Sequence, residues 1–294
     1  MRILLDSRDL IDLTEHDRPV RPVELQEYLR NNNHTVVLTF TNVRELASPL
    51  ANGADFLRIR RLLQSLEALS HTYIGEVSIP ALEIQSGIDA FSVGGEYQPV
   101  DVYATRWDRT FAMPPGQQRS PAADWINLRL DEIVYFVLRI SPHVFTPPTH
   151  YLPALRRLLE QDRELLRSGR APARQHFINS IRKLAMSWNR RLPAGREDEF
   201  ATWIYSNPSR CPGLRLQHET YRALMANYGD VPETADFSDL THVCGIPYVE
   251  AATLDNRMRH YAGVAARKLV RMGSAINFRD RMFTNLAAIM QIQP

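Results

Sequence analysis

Lysine is nearly missing from this chain. Lys183 and Lys268 are the only two, so almost all of its 35 basic side chains are arginines. Arginine suits bidentate phosphate contacts and stacking, but the same bias follows from the base composition of a genome, and it selects no partner by itself. A net charge of +2 excludes a uniformly basic, nucleic-acid-coating protein, so any basic surface must be local. Cysteine is as scarce. Cys211 and Cys244 provide neither a disulfide framework nor a Cys-x-x-Cys zinc site. No unbroken apolar run is long enough to span a bilayer, and Met1-Arg2-Ile3 opens no signal peptide, so the expectation is a soluble, cytoplasmic protein with no membrane partner. Internal repeats and low-complexity tracts are missing too. The hydrophobic content of 44% and charged content of 23% suit a globular chain, and 294 residues allow one large domain or two smaller ones.

Carboxylates are present, in a telling order. Asp236-Phe-Ser-Asp239-Leu-Thr-His242 repeats its polar groups at helical i, i+3 spacing, and Gly245-Ile-Pro247 stops that helix. Tyr248 to Leu254 is then apolar enough for a buried strand, which Asp255 ends. The first residues, Arg2-Ile-Leu-Leu-Leu5-Asp6-Ser7, form another short apolar run ending in aspartate. Val36 to Val43 is a third strand-like run, rich in β-branched residues, turning into a helix that carries Glu45. In an open parallel sheet, ligands collect at the carboxyl ends of strands, so these acids fit a site for a hard divalent cation.

This order of parts resembles the PIN-domain nucleases: a strand ending in Asp followed by Ser or Thr, a Glu opening a helix, a helix Asp, and a strand ending in Thr-x-Asp. Asp239-x-x-His242 followed by Pro247-Tyr248 and Thr253-Leu-Asp255 is similar to a subgroup of large bacterial PIN-like proteins. The resemblance covers roughly the first ninety and the last sixty residues. It implies an α/β fold with a central parallel sheet and flanking helices, with catalytic and metal-ligating roles at Asp6, Glu45, Asp239 and Asp255 and a small hydroxyl at Ser7. It further implies Mg²⁺ or Mn²⁺ as cofactor and nucleic acid, RNA first, as substrate. A protein regulator of the antitoxin kind is permitted, as is an oligomer.

Other positions stay open. Asp236 either shares the cation site or caps its helix. His242 either binds a second metal, contacts the scissile phosphate or orients a ligand, or is a buried structural histidine. Arg257 and Arg259 start the helix after Asp255 and are candidates for substrate phosphates. Glu83, on a short helix near Pro80 to Ile88, is either an accessory acid or simply exposed, and Glu250 has no evident role inside its strand.

Between these halves the character changes. Gly94-Gly95, Pro99, Pro114-Pro115-Gly116 and Pro121 interrupt the pattern from about Val93. Amphipathic stretches over Asp124–Ile140, Tyr151–Ser168, Arg174–Trp188 and Glu197–Tyr205 follow. The reading is a discontinuous PIN-like domain over 1–92 and 230–294, with a mostly helical insertion over 93–229. The arginines of those helices, with His176, Phe177 and Trp188 among them, either contact single-stranded RNA or form an ordinary solvated face. The competing functional reading is a non-catalytic nucleic-acid-binding or protein-interaction scaffold whose acids are strand-end and cap residues.

Overall fold

The computed structural model describes residues 1–13, 20–51, 56–75, 78–104, 129–132, 134–135, 152–168, 173–187, 192–227, 229–230, 233 and 235–292. Strands β1 (Arg2–Leu4), β2 (Thr35–Thr39), β3 (His71–Ile74), β4 (Tyr103–Ala104), β5 (Ala251–Thr253) and β6 (Met282–Phe283) form one sheet in the order β4-β3-β2-β1-β5-β6. All its pairings are parallel except β3 with β4. The helices are α1 (Ser7–Asp12), α2 (Pro22–Asn31), α3 (Phe40–Ala51), α4 (Phe56–Glu67), α5 (Ile79–Ser92), α6 (Leu152–Arg167), α7 (Ala173–Ser187), α8 (Glu197–Ser206), α9 (Pro212–Ala226), α10 (Ala235–Gly245), α11 (Asn256–Arg271) and α12 (Leu286–Met290). None of these helices is long and apolar enough to cross a membrane.

The alternation of strand side chains makes two cores. Ile3, Leu5, Val36, Leu38 and Ala251 pack on one face of the sheet, with α2 and α4 supplying Leu25, Leu29, Leu62 and Leu63. Leu4, Val37, Ile74 and Ala252 pack on the other, with Leu216, Val243, Tyr261 and Ala265 from α9, α10 and α11. A third cluster joins Ile84 of α5 to Phe177, Ile181, Phe200 and Ile204 of the helical segment.

Several elements differ from the sequence expectation. The strand read over Tyr248–Leu254 is shorter, because Ile246–Tyr248 is a 3₁₀ turn before β5. Exposed Glu250 precedes β5 and accepts the Arg2 N–H at 2.6 Å. Helix α3 runs past Pro49 to Ala51; the Ser48 hydroxyl donates to the Glu45 carbonyl at 3.1 Å, the acceptor that the proline nitrogen leaves without a partner. Strand β4 lies inside the stretch assigned to the insertion, as does α9, which packs on α10 and α11. Most of the stretch read as a helix over 124–140 lies outside the described residues.

Glu83 is neither exposed nor among the other acids. Fully buried, it accepts Gly213 N–H at 2.7 Å and Leu214 N–H at 2.8 Å at the start of α9, together with the Tyr248 hydroxyl. Burial pushes it up to about 7 against those hydrogen bonds. It fastens α5 to α9. Gly213 is required there, because a Cβ would stand 2.6 Å from the Cys244 carbonyl oxygen.

A buried polar network fixes α9 to its neighbours. Lys268 of α11 donates to Glu219 at 2.5 Å, and the Arg215 guanidinium, fully buried, lies 3.7 Å from the same carboxylate. The guanidinium sits between the rings of Phe177 and Tyr205, at 4.6 and 4.3 Å from their centroids. Burial raises the Glu219 carboxyl, but His218 and Lys268 outweigh this and hold it at about 2.

Candidate active site at the sheet switch point

Strands β2 and β3 lie on one side of β1, and β5 and β6 on the other, so the direction of strand succession reverses between β1 and β5. Crevices of this kind, at the carboxyl ends of parallel strands, are where open α/β sheets hold ligands. Leu4 pairs with Ala252, which leaves Asp6 and Asp255 just beyond the paired residues, side by side.

Each of these aspartates caps a helix. Asp6 accepts Arg8 N–H at 2.8 Å, and Asp255 accepts Met258 N–H at 2.7 Å, both through Oδ1. The helix starts α1 and α11 thereby fix the two side chains and place partial positive charge behind them. Asp6 N–H also donates to Thr253 Oγ1 at 2.7 Å, tying the end of β1 to the end of β5.

The second junction is built by Asn42, which sequence reasoning missed. Its Nδ2 donates to the Leu5 carbonyl at 3.0 Å and to Ser7 Oγ at 3.1 Å, while its Oδ1 accepts the Thr39 hydroxyl at 2.8 Å. It holds the starts of α1 and α3 together and keeps Ser7 buried at the pocket wall. The only local signal is Thr39-x-x-Asn42 at a strand-to-helix junction, a spacing at which side chains exchange hydrogen bonds with backbone. Glu45 follows on the next turn of α3, and Arg44 donates to Ser238, which anchors α3 to α10.

Asp6, Ser7, Glu45, Asp239, His242 and Asp255 all line one pocket, together with Thr41, Leu254 and Met258. Its free volume of about 10 Å³ is the size of a single water. A polymer would therefore lie across its mouth. Asp239 is pushed up to about 8, first by burial and then by the charges of Asp255, Asp6, Glu45 and Asp236. His242 is 4% exposed. Burial lowers it, against the pull of Asp6 and a hydrogen bond to the Thr253 backbone. Its Nε2 is buried with no hydrogen-bond partner.

Oxygen donors in this number suit a hard divalent cation, and the charges of the neighbouring acids add to burial in pushing Asp239 up. The acids are not pre-assembled as ligands. Among the described residues, no three His, Cys, Asp or Glu side chains stand close enough to hold a metal ion. Two of the four are turned to cap their helices, and mutual repulsion opposes convergence.

Asp236 and Arg257 are paired with each other at 2.5 Å, outside the residues that line the pocket. The other oxygen of Asp236 accepts Glu233 N–H at 2.6 Å, and Arg257 also binds Asp230 at 2.8 Å. Asp236 thus ties Glu233, just before α10, to Arg257 of α11. Arg259 faces away from the acids, exposed in a separate cleft. Comparison with protein-family models, with characterised proteins and with solved structures found no match.

Proposed function

We propose that this chain is a PIN-like hydrolase that cleaves phosphodiester bonds of nucleic acid, RNA first, with Mg²⁺ or Mn²⁺ as cofactor. The observation that carries the reading is the meeting of Asp6, Glu45, Asp239 and Asp255, from four separate segments, in one ion-sized pocket where burial, and then the charges of the other three, raise Asp239. These four residues would hold the cation. When bound, it would activate a water and neutralise the phosphate charge.

The protein's own groups have distinct tasks. The capping bonds of Asp6 and Asp255 occupy one oxygen of each and leave the other for the pocket. Asp239 retains a proton near neutral pH until positive charge replaces it. His242 is neutral there, and its unpartnered Nε2 can accept a proton or a water hydrogen bond. Arg257 holds Asp236, and through it α10, in register with α11.

A second reading, a non-catalytic scaffold, is favoured by the capping bonds that hold Asp6 and Asp255 and by the lack, among the described residues, of a convergent ligand set. Calorimetric titration of Mn²⁺ into chelator-treated protein separates the two. Binding that Asp239→Asn abolishes is expected for the hydrolase. No binding heat from either protein would leave the scaffold.

A further inference from the structure

We propose that the cleft along the exposed face of α11 is a phosphate-binding track for the single-stranded nucleic acid that crosses the acid pocket. This inference rests on the hydrolase reading and names where that enzyme would grip its substrate.

The cleft has a volume of about 420 Å³ and is lined by Asn256, Arg259, His260, Gly263, Arg267 and Arg279, with Met282 at its edge. Its α11 members recur at the spacing of one helix face. The stretch from Asn256 to Arg267 rises about 16 Å, enough to meet several phosphates of one stacked strand. Asn256 of the cleft follows Asp255 of the acid pocket in the chain, which places one end of the cleft a residue away from an acid of the pocket.

The charge distribution is selective. Among the described residues, no carboxylate lines this cleft. Among the described residues, the exposed guanidiniums of Arg259, Arg267 and Arg279 have no ion-pair or hydrogen-bond partner. Several other arginines are committed: Arg60 to Asp131, Arg182 to Asp198, Arg196 to Glu199 and Arg257 to Asp230 and Asp236. Three unpaired guanidiniums in one depression concentrate positive potential, and their forked donors match phosphate oxygens. His260 adds a ring on which a base can stack.

Gly263 keeps the floor low. A Cβ there would meet only Arg267 Nη1, at 3.9 Å, so the backbone tolerates a side chain that would enter the cleft.

The experiment is fluorescence anisotropy of labelled single-stranded RNA and DNA 12-mers in chelator, where binding is read without turnover. It compares wild type, Arg267→Gln/Arg279→Gln, Gly263→Glu and, as a control on α2 outside the cleft, Arg30→Gln. We expect the double variant and Gly263→Glu to bind at least about tenfold more weakly, with Arg30→Gln unchanged. The slope of log affinity against log salt should fall by about 0.7 for each lost phosphate contact. Equal binding by all four proteins, or no binding of either strand by wild type, would overturn the track. The same oligomers are then offered with Mn²⁺. Cleavage without arginine-dependent binding refutes the track and leaves the hydrolase; arginine-dependent binding without cleavage in Mn²⁺ leaves the track and refutes the hydrolase. Tighter binding of RNA than DNA identifies the substrate sugar.

Discussion

Replacing Asp239 by asparagine should stabilise the cation-free protein, an unusual direction for a polar substitution inside a pocket. The carboxyl stands at about 8 in the folded chain against an ordinary value of 3.8. Because the folded state keeps a proton that the unfolded chain releases, wild-type stability falls as pH rises between about 4 and 8. From the ordinary value to pH 7, at about 1.36 kcal/mol per pH unit, the ceiling is about 4 kcal/mol. Relaxation of Asp6, Glu45 and Asp255 around the charge, and water at the pocket mouth, reduce the expected gain to about 1–3 kcal/mol. For a chain of this size that is a rise in Tm of about 2–6 °C. Thermal melts in chelator at low salt, at pH 4.5, 6.0, 7.5 and 8.5, should show the two proteins together at the acid end and diverging upward. Adding Mn²⁺ should reverse the order, since wild type alone gains the full binding energy, about 2.7 kcal/mol at one hundred times Kd. A variant that melts below wild type at pH 7.5 without cation, or a difference that does not change with pH, would refute the reasoning.

Glu219→Ala should cost about 3–5 kcal/mol in urea unfolding, because it strands buried Arg215 and removes the acceptor of Lys268. Asn42→Ala should cost about 2–3 kcal/mol by the same assay, as it leaves the Leu5 carbonyl and the Thr39 groups without their partner; it should also weaken Mn²⁺ binding, since Ser7 and Glu45 lose their relative placement. Gly263→Ala should raise stability by about 0.5–1 kcal/mol, because a helix-interior glycine is replaced where the added methyl meets nothing closer than 3.9 Å.

The acids were legible in the sequence because a strand end is marked by a change from apolar to polar residues, and each of Asp6, Glu45 and Asp255 lies at or just past such a change. Asp239 was legible from helical spacing. What stayed hidden was tertiary. His71-Thr-Tyr-Ile74 is too short for periodicity to reveal β3, and β6 has two residues. Asn42 looks like an ordinary helix-start residue until its partners at Leu5 and Ser7, more than thirty positions away, are known. Arg257 looked free because Asp230 and Asp236 precede it by more than twenty residues. Glu83 looked exposed because its partners on α9 lie about 130 residues later. The role of Gly263 and Arg279 in one cleft likewise depends on how the chain returns after α11.

The most direct measurement is single-turnover cleavage of end-labelled single-stranded RNA by purified protein, with and without Mn²⁺, comparing wild type with Asp239→Asn and Asp255→Asn. The account predicts discrete products from wild type only with the cation, and a loss of at least about a hundredfold in rate for both folded variants. Intact RNA in every lane, or equal cleavage by the variants, would contradict it.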